Sequence, residues 1–495
     1  MTKFLMVQGT SSNAGKSSLV AAFCRILSDK GYRVAPLKTQ NMSSNVYITK
    51  DGLEMAKAQA IQAIAARTEP SVYMNPILLK PMGDYVSRVV LQGKVHRDMH
   101  AKYYYNNFVI QRGMQYVKNA IKKLSKYDVV VIEGAGSPAE INIMDHDIAN
   151  MRIAEMLNAP VLIVADIERG GCFASIVGTM ELLERKQRKL VKGFIINKFR
   201  GDKAILEPAI VSVKKITGKP VLGIVPFIDD MSLPNEDSLG VDAGRSKHDL
   251  INIAVIKYPN AINITDFDPL SQSSDALNTY YVTSVAQLSD ADLILLPPSR
   301  NLPADLEWMK EKGISDSIRS LRAKRPVVGI CEGFAMMGRQ IQNGNKINGL
   351  GLINTTVYAD RKLAGTVSLK VASRKAIVSA NGQVLNAYLR GDYRVVNGKN
   401  AYPLFHVLKL NGKQKKFVEG SVSGDGLAFG CCVYGLFDTP LIRNSLIEYL
   451  ARKKKIRVMM HDMDATTFWD KQIQMFSNTV KNNIDMTRIM NLVGL

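Results

Sequence analysis

Short runs of apolar residues recur through the first half of the chain, and the stretches between them carry apolar residues at helical spacing. The earliest run is 4–7, and a helical pattern at 19–27 follows it. Five further runs lie at 33–37, 129–132, 161–165, 193–196 and 221–225. Wholly apolar strands that alternate with helices are typical of parallel βαβ units, so this half predicts an α/β domain built on a parallel sheet.

A second α/β pattern follows, with apolar runs at 251–256, 293–296 and 327–330. The stretch between the two patterns is rich in Asp, Ser, Gly and Pro, which predicts a linker. The end of the chain begins with the basic run RKKKIR and predicts a helical tail without an assigned role. We therefore expect a first domain at 1–228, a linker at 229–249, a second domain at 250–451 and a tail at 452–495.

Composition narrows the class of protein. Of the 495 residues, 46% are hydrophobic and 22% are charged, which is typical of globular proteins. No apolar stretch reaches the roughly 18 residues of a membrane span. The first residues, MTKFLMV, already form a predicted strand, so we expect no cleavable signal ahead of it. The expectation is a cytoplasmic protein without a membrane partner.

The net charge of +21 predicts attraction to polyanions, which include nucleic acid, ATP and a polycarboxylate substrate. Only RKKKIR is a concentrated basic run, and it lacks the interleaved aromatic residues of a nucleic-acid stacking surface. We therefore favour a solvated basic surface over a nucleic-acid site. The five cysteines are scattered and none has metal-ligand spacing, so we expect reduced thiols and no cysteine-bound metal.

The most specific motif is VQGTSSNAGKSS, residues 7–18, between the first predicted strand and the first helix. A glycine-bearing loop in this position wraps a triphosphate with its N–H groups, while Lys16 neutralises the β and γ oxygens and Ser17 binds Mg²⁺. Five residues rather than four separate Gly9 from Gly15, and the alternative is a simple Gly/Ser turn. The residues expected to bind ATP are Thr10, Asn13, Ala14, Gly15, Lys16, Ser17 and Ser18.

Polar residues end several of the predicted strands. Glu133 follows the run at 129–132, Asp166 follows the run at 161–165, and Asn197 and Lys198 follow the run at 193–196. Ligands of open α/β sheets bind at the carboxyl ends of the strands, so we expect Glu133 to supply a second Mg²⁺ contact, directly or through water. Arg169 lies in the next turn and could face phosphate or carboxylate. Each of these residues alone could instead be a helix cap or a turn residue.

Several contiguous blocks carry a family resemblance. They are RVAPLKTQNM (33–42), EPSVYMNPILLKP (69–81), EGAGSPAEIN (133–142), DIANM (147–151), ADIERGGCFAS (165–175) and NKFRGD (197–202). With these blocks in this order, the chain resembles the cobyric acid synthases, ATP-dependent amidotransferases of cobalamin biosynthesis. The resemblance extends from the first strand to about residue 450. It implies a dethiobiotin-synthase-like P-loop domain followed by a class I glutamine amidotransferase-like α/β domain.

The resemblance also implies a reaction. A carboxylate of adenosylcobyrinic acid a,c-diamide attacks the γ-phosphate of ATP, and ammonia then displaces phosphate from the acyl phosphate to leave an amide. The b, d, e and g carboxylates are amidated in turn. Phosphoryl transfer requires Lys16, Mg²⁺ near Ser17 and Glu133, and a carboxylate held in line. The residues that the resemblance suggests for substrate binding are Gln40, Asn41, Asp147 and Arg169, and Asn197 is suggested to read the adenine edge.

The second half resembles a domain in which a Cys–His pair hydrolyses glutamine to supply the ammonia. The segment GICEG, 329–333, has the pattern of a nucleophile elbow, a sharp strand-to-helix turn that exposes Cys331. The family has glycine after this cysteine, whereas Glu332 stands here. If the carboxylate points inward, its charge raises the pKa of the thiol.

The expected base is also changed. The family's histidine lies in a block reading GTYLHGLF, and the matching segment here is GCCVYGLF, 430–437, which puts Tyr434 in the histidine position. A tyrosine with a pKa of about 10 neither accepts the thiol proton near neutral pH nor becomes a cation. Losing general acid–base catalysis costs about 10²- to 10⁴-fold in rate.

A third change affects the turn that normally helps to form the oxyanion hole. In LLPPSRN, 295–301, Pro298 takes the position of a family glycine, and proline has no N–H to donate. Removing one such donor costs about 2.7 to 4 kcal/mol. We therefore hypothesise that Cys331 is a relic, that the glutaminase is weak or absent, and that the synthetase uses ammonia, free or supplied by a separate protein.

Two alternatives stay open at this point. His406, in the strand-like segment YPLFHVLKL, could supply a relocated base, in which case glutamine remains the nitrogen donor. The chain could also be a scaffold that binds a corrinoid or a nucleotide without amidating it. The P-loop, Glu133 and the substrate-like blocks favour the enzyme.

Overall fold

The computed structural model describes residues 2–228, 246–361, 363–373, 377, 380–460 and 463–495. The chain divides into two compact units. The first comprises Met1–Glu236 and Phe468–Leu495, and the second comprises Asp237–Thr467. Most of the predicted linker, 229–245, lies outside the described residues.

The first unit contains twelve strands among its described residues. They are β1 (Lys3–Gly9), β2 (Val34–Leu37), β3 (Gln40–Met42), β4 (Val46–Ile48), β5 (Glu54–Ala56), β6 (Ile77–Gly83), β7 (Val86–Leu91), β8 (Lys94–His100), β9 (Val129–Glu133), β10 (Val161–Asp166), β11 (Val191–Phe199) and β12 (Val221–Pro226). The helices before residue 228 are α1 (Lys16–Asp29), α2 (Lys57–Ala65), α3 (Ala101–Tyr103), α4 (Met114–Leu124), α5 (Met151–Leu157), α6 (Cys172–Leu182), α7 (Arg185–Leu190) and α8 (Glu207–Thr217). A π-helix, Tyr104–Gly113, connects α3 to α4.

The centre of the first unit is a six-stranded parallel sheet in the order β12-β11-β10-β1-β9-β2. Its inner strands are buried on both faces, which explains why they read as unbroken apolar runs. All six strands predicted from the first half are present, and the predicted α/β class is confirmed. Because the strands are parallel, their carboxyl ends meet at one edge, where the loop after β1 begins.

Two smaller sheets of the first unit have no counterpart in the sequence prediction. One has the order β3-β6-β7-β8, and the other pairs β4 with β5. The strand β8 is exposed at six of its seven positions, so it carries no apolar run that would mark it. Strands this short or this polar are defined by their pairing partners rather than by their own pattern.

The second unit contains strands β13 (Ile251–Ile256), β14 (Leu277–Val282), β15 (Leu293–Leu296), β16 (Val327–Ile330), β17 (Gly338–Asn343), β18 (Asn345–Asn348), β19 (Ile353–Tyr358), β20 (Leu363–Val371), β21 (Val384–Gly391), β22 (Arg394–Asn397), β23 (Ala401–Leu410), β24 (Lys413–Ser423), β25 (Ala428–Cys431) and β26 (Val433–Tyr434). Its helices are α9 (Asp268–Ser271), α10 (Leu302–Glu311), α11 (Ile314–Leu321), α12 (Glu332–Met337) and α13 (Pro440–Lys454).

The large sheet of this unit has the order β14-β13-β15-β16-β25-β24-β23-β20-β21-β26. Its first five strands are parallel, and the pairings from β25 onwards are antiparallel. A second sheet has the order β18-β17-β19-β22. The three strands predicted for this half are β13, β15 and β16, with the predicted bounds, while the antiparallel half of the sheet was not predicted.

The end of the chain is helical. Helix α13 continues to Lys454, so residue 452, the start of the predicted tail, lies inside this helix rather than after it. Two further helices follow, α14 (Ala465–Asn483) and α15 (Met486–Val493), and Phe468–Leu495 belongs to the first unit. Within the described residues, no helix combines the length and the apolar character needed to cross a membrane.

Contacts with α1 and α2 attach α14 to the first unit. Asp470 forms an ion pair with the buried guanidinium of Arg25 in α1. Trp469 is 3% exposed, and the Nζ of Lys57 in α2 lies 5.2 Å from its ring centroid. At the other end of the helix, the Asp485 N–H donates to the Leu222 carbonyl at 2.8 Å. The C-terminal segment is therefore a structural part of the first unit.

Candidate active sites

The P-loop connects β1 to α1 with the geometry that a phosphate cradle requires. Gly15 immediately precedes the helix with a φ of 97°, a left-handed value that disfavours a side chain. A Cβ at this position would also lie 2.0 Å from the Nδ2 of Asn197. The loop and the N-terminus of α1 therefore depend on glycine at this point.

Lys16 lies across the loop. Its ammonium group donates to the Ser11 carbonyl at 2.8 Å and to the Gly136 carbonyl at 2.9 Å, at the carboxyl end of β9. The same ammonium lies 3.0 Å from the position that a Cβ of Gly9 would take. A positive charge is thus held in the centre of the loop, where phosphate oxygens bind in sites of this kind.

The position of Thr10 differs from the expectation. Its N–H donates to the Val164 carbonyl at 2.9 Å, which continues the ladder between β1 and β10. That N–H is therefore part of the sheet rather than of the phosphate cradle, because the strand pairing extends one residue past Gly9. Asn13 and Ala14 lie in the turn itself, with a positive φ of 61° at Asn13. Ser17 and Ser18 form the first turn of α1 and are half-buried.

Glu133 at the end of β9 collects hydrogen bonds from three elements. The Ser17 hydroxyl donates to its Oε1 at 2.7 Å, and the Lys38 ammonium lies 2.9 Å from the same oxygen. Its Oε2 accepts from the side-chain amides of Gln59 at 3.2 Å and Gln62 at 2.5 Å. The carboxylate is fully buried, and such a charge is tolerated only when it is paired and hydrogen-bonded.

Lys38, Gln59 and Gln62 were missed by the sequence analysis. The signal for Lys38 was present, because Leu37 of β2 pairs with Ile132 of β9 and the next residues of the two parallel strands are therefore neighbours. The two glutamines are three residues apart in α2 and so share one helix face. Gln62 also donates to the Ser17 carbonyl at 3.2 Å, which ties α2 to the start of α1.

The ends of β10 and β11 support the P-loop. Lys198 donates to the Asn13 carbonyl at 2.7 Å and forms an ion pair with Asp166 at 2.7 Å. Asn197 is buried, and its Nδ2 donates to the Ala14 carbonyl at 2.9 Å. That amide group therefore positions the loop, and adenine recognition by Asn197 stays a prediction.

The four residues expected to bind substrate are in different environments. Gln40 is half-buried and accepts from the Tyr104 hydroxyl at 2.7 Å. Asn41 is buried and donates to Gln59 at 2.7 Å, so it supports the Glu133 network. Asp147 accepts the N–H groups of Ala149 and Asn150, and burial raises its pKa to about 6. Arg169 is exposed in the turn between β10 and α6.

The donor set suits a divalent cation that binds together with a nucleotide. The Ser17 hydroxyl and Glu133 Oε1 are hard oxygen ligands 2.7 Å apart, which suits Mg²⁺. The described residues contain no group of three or more His, Cys, Asp or Glu side chains that could hold a metal by themselves. Magnesium commonly takes one or two protein ligands and completes its shell with phosphate and water, and this arrangement offers that number.

In the second unit, Cys331 lies on a sharp turn between β16 and α12. Its φ of 49° and ψ of −113° are strained for a residue other than glycine and are typical of a nucleophile elbow. A Cβ on Gly333 would lie 2.1 Å from the Leu296 carbonyl, so the elbow packs tightly against the end of β15. The expected elbow is therefore present in the backbone.

The surroundings of the Cys331 thiol disfavour its ionisation. Burial and the Glu332 charge raise the pKa of the thiol well above its usual value. Tyr434 hydrogen-bonds to the thiol, and burial also raises the pKa of this tyrosine well above its usual value. Arg390 donates to the Tyr434 hydroxyl at 3.5 Å. Near neutral pH, Tyr434 therefore stays protonated and does not act as a base toward the thiol.

His406 is not brought to Cys331. In the pairing of β23 with β24, Phe405 lies opposite Glu419, and His406 is the next residue, which points to the other face of the sheet. Glu419 is the residue that accepts the N–H of Cys432, on the cysteine side. The side chain of His406 is exposed.

In the turn after β15, the backbone N–H that reaches the elbow belongs to the residue after Pro298. Pro298 lacks an N–H, but the next residue, Ser299, directs its N–H to the Glu332 carboxylate at 3.3 Å. The Tyr258 hydroxyl donates to the Pro297 carbonyl and holds the turn. A backbone N–H group from this turn, that of Ser299, therefore still reaches the elbow. It donates to the side chain of Glu332, which is itself part of the elbow.

Two family models match the chain. Residues 5–239 match the CobQ/CobB/MinD/ParA nucleotide binding domain. Residues 252–441 match the CobB/CobQ-like glutamine amidotransferase domain. Each match falls mainly in one of the two units.

Similar proteins align along nearly the whole chain. A cobyric acid synthase of Clostridium botulinum (strain Loch Maree / Type A3) is 39% identical over 505 residues, covering 99% of this chain and 99% of the relative. A cobyric acid synthase of Dehalococcoides mccartyi (strain CBDB1) is 38% identical over 505 residues, covering 99% and 98%. A cobyric acid synthase of Photorhabdus laumondii is 39% identical over 502 residues, covering 98% and 97%.

Proposed function

The chain belongs to the cobyric acid synthase family, and from this premise we propose that it amidates the b, d, e and g carboxylates of adenosylcobyrinic acid a,c-diamide with ammonia as nitrogen donor. It is an ATP-dependent amide ligase. The observation that carries the proposal for the first unit is the buried Glu133, which holds Ser17 and Lys38 beside the P-loop.

The proposed reaction has two steps. A substrate carboxylate oxygen attacks the γ-phosphorus of ATP, the bond to the β–γ bridging oxygen breaks, and ADP leaves. Ammonia then attacks the carboxyl carbon of the acyl phosphate, inorganic phosphate leaves, and a proton is lost to give the amide. Lys16 binds the β and γ oxygens, and Lys38 is placed to offset charge on the transferring phosphoryl group or on the attacking carboxylate.

Magnesium would be held by the Ser17 hydroxyl and Glu133, and it supplies charge neutralisation on the phosphates when it is bound. The protein groups around it have separate tasks. Gln59 and Gln62 keep the Glu133 carboxylate oriented, and Asn197 and Lys198 fix the P-loop carbonyls. Orientation of this kind lowers the barrier by holding the reacting groups in place before the reaction begins.

The second unit supports ammonia rather than glutamine as the practical donor. The pKa of Cys331 is raised, and the residue hydrogen-bonded to its thiol is Tyr434, which the sequence resemblance places in the family's histidine position. His406 points away from the cysteine, which removes the support for a relocated base. A thiol without a base is a poor nucleophile near neutral pH, so we infer that ammonia reaches the synthetase from solution or from a separate protein.

The experiment uses purified full-length protein with Mg-ATP, ammonium and adenosylcobyrinic acid a,c-diamide. We expect four successive amidations by mass spectrometry, with one phosphate released for each. Lys16→Ala should abolish both readouts because it removes the P-loop charge. Lys30→Ala, at the far end of α1, is the matched control for loss of one lysine. Continued amidation by Lys16→Ala would refute the P-loop assignment.

A further inference from the structure

The carboxylate of Glu332 accepts hydrogen bonds from two backbone N–H groups at the elbow. It accepts the N–H of Ser299 at 3.3 Å, and it also accepts its own backbone N–H. The residue is half-buried, and burial raises the pKa of its carboxyl group, while the charge of Arg390 opposes this rise.

These two donors have a defined role in enzymes with a nucleophile elbow. The N–H of the residue after the nucleophile and an N–H from the turn after a neighbouring strand form the oxyanion hole. Here the residue after Cys331 is Glu332, and the neighbouring turn follows β15, which pairs directly with the β16 strand that leads into the elbow. The donors that would bind the oxyanion of a thioester-forming substrate are therefore the same two that bind the Glu332 carboxylate.

We propose that the Glu332 carboxylate is a resident anion in the oxyanion hole of Cys331 and closes this site to a γ-carboxamide or other acyl substrate. The inference rests on the proposed function for the identification of this site as a former glutaminase. It adds a cause that is independent of the missing base: even with a histidine at position 434, the carbonyl oxygen of glutamine would find its donors occupied.

Neighbouring groups hold the carboxylate in place. Arg390 also pairs with Asp392 at 3.2 Å and reaches the Tyr434 hydroxyl, so its guanidinium is fixed on the same side of the elbow as Glu332. The turn that carries Ser299 is fixed by the Tyr258 contact to Pro297 and by the bond from Ser299 Oγ to Asp305 at 2.5 Å. A substrate would have to displace an anion that is held from several sides.

The test restores the base in every arm, so that the variants differ only at position 332, and the Gln variant separates loss of the Glu332 charge from opening of the oxyanion hole. The variants are Tyr434→His alone and Tyr434→His combined with Glu332→Gly, Glu332→Ala or Glu332→Gln. The probe is a chloroketone analogue of glutamine. In the labelling step the sulfur of Cys331 bonds to the chloromethyl carbon, chloride leaves, and the thiol proton passes to solvent. Mass spectrometry of the Cys331 peptide gives the labelling rate.

We expect the Gly and Ala combinations to label at least tenfold faster than Tyr434→His alone, because each oxyanion-hole donor is worth about 10²- to 10³-fold in rate. The Gln combination should stay slow, since its amide carbonyl has the same size and still accepts both N–H groups. Equal labelling of all four variants, or a Gln combination as fast as the Gly combination, would overturn the proposal, because occupancy of the hole would then not be the cause.

A second readout separates this inference from the proposed function. Each variant is assayed for ammonium-driven amidation and for glutamine hydrolysis in the same preparation. Failure of the parent protein to use ammonium would refute the proposed function without affecting the labelling comparison. Glutamine hydrolysis by Tyr434→His alone at the rate of its Glu332→Gly combination would refute the resident anion.

Discussion

At the scale of single residues, Glu133 organises the synthetase site. A carboxylate taken out of water costs several kcal/mol unless its charge is compensated. Here Lys38 supplies the opposite charge, and Ser17, Gln59 and Gln62 donate hydrogen bonds to the carboxylate oxygens. The contacts that stabilise the buried carboxylate also hold Ser17 and Lys38 in position. The same interactions therefore stabilise the fold and preorganise the site.

Lys38→Met tests this arrangement. Removing the ammonium removes a fixed positive charge from the phosphoryl-transfer site, so the turnover of ammonium-driven amidation should fall by about 10²-fold, the typical loss for one preorganised donor. Steady-state kinetics with saturating ATP measure this turnover. The matched control is Lys454→Met, which breaks a lysine–aspartate pair of 2.6 Å in the second unit. Turnover of Lys38→Met within twofold of the parent would show that Lys38 only balances the charge of Glu133.

Asp147 gives a prediction for pH. Burial raises its pKa to about 6 in the folded chain, above the value of about 3.9 in an unfolded chain. The folded state therefore holds this proton more tightly, and the residue's contribution to the free energy of unfolding decreases as pH rises from about 4 to about 6 and is constant above that.

Asp147→Asn should remove this dependence while keeping an oxygen that accepts the Ala149 N–H. Denaturant unfolding at a series of pH values should show the variant gaining stability relative to the parent between pH 4 and 6. Asp145→Asn, in the same loop and exposed, is the reference for loss of a carboxylate from this segment. A stability difference between Asp147→Asn and the parent that is constant with pH would contradict the argument.

Several of these residues could be predicted from the sequence and others could not. The contact between Ser17 and Glu133 could be predicted because parallel strands end at one edge of the sheet. The position of Lys38 beside Glu133 could be predicted from the register of β2 with β9. The two glutamines of α2 could not be placed, because an alanine-rich helix packs in many ways. The pairing of the Thr10 N–H with Val164 could not be predicted, because the length of a strand pairing is set by the partner strand and not by the motif.

At the scale of elements, α14 shows that the end of the chain completes the fold of its beginning. Its sequence predicts a helix, but a helical pattern does not identify the surface that the apolar face covers. The structure supplies the partners, which are Arg25 of α1 and Lys57 of α2. Helix α1 begins at the P-loop, and α2 carries Gln59 and Gln62. Helix α14 therefore contacts both helices that contribute residues to the nucleotide site.

Trp469→Ala should destabilise the first unit by about 3–5 kcal/mol, the usual cost of deleting a buried aromatic side chain. A chain with two units need not unfold in one transition, so the relevant transition is the one that ATP shifts to higher denaturant concentration. Met475→Ala, at a position that is 57% exposed on the same helix, is the matched control. Equal stability of the two variants would show that α14 is dispensable for this unit.

The antiparallel half of the large sheet is the other element that sequence patterns did not predict. Strand β20 alternates buried with more exposed residues, and β23 includes exposed positions among its buried ones, so both lack the continuous apolar runs that mark the parallel strands. Their register still bears on the candidate base. Successive side chains of β23 point to opposite faces, so His406 points away from the face on which Glu419 accepts the N–H of Cys432. A relocated base was plausible from sequence alone and loses its support at this level.

At the scale of the whole molecule, the candidate sites of the two units differ in the side chains that they retain. The first unit keeps a P-loop, a paired lysine and an acidic residue in contact with the loop helix. The second has the strained backbone of a nucleophile elbow, with Tyr434 hydrogen-bonded to the Cys331 thiol and the Glu332 carboxylate accepting the Ser299 N–H. Under the proposed function, the second unit contributes through its structure or its association with the synthetase reaction rather than through glutamine hydrolysis.

The measurement that tests this account most directly compares nitrogen sources for the full-length protein. Purified protein with Mg-ATP and adenosylcobyrinic acid a,c-diamide is supplied with either ammonium or glutamine alone, and amide products are counted by mass spectrometry. The account predicts amidation with ammonium and product from glutamine lower by about 10²-fold or more, the cost of a missing general base. Equal product from glutamine would contradict it, because a working base and an open oxyanion hole would then have to exist at Cys331.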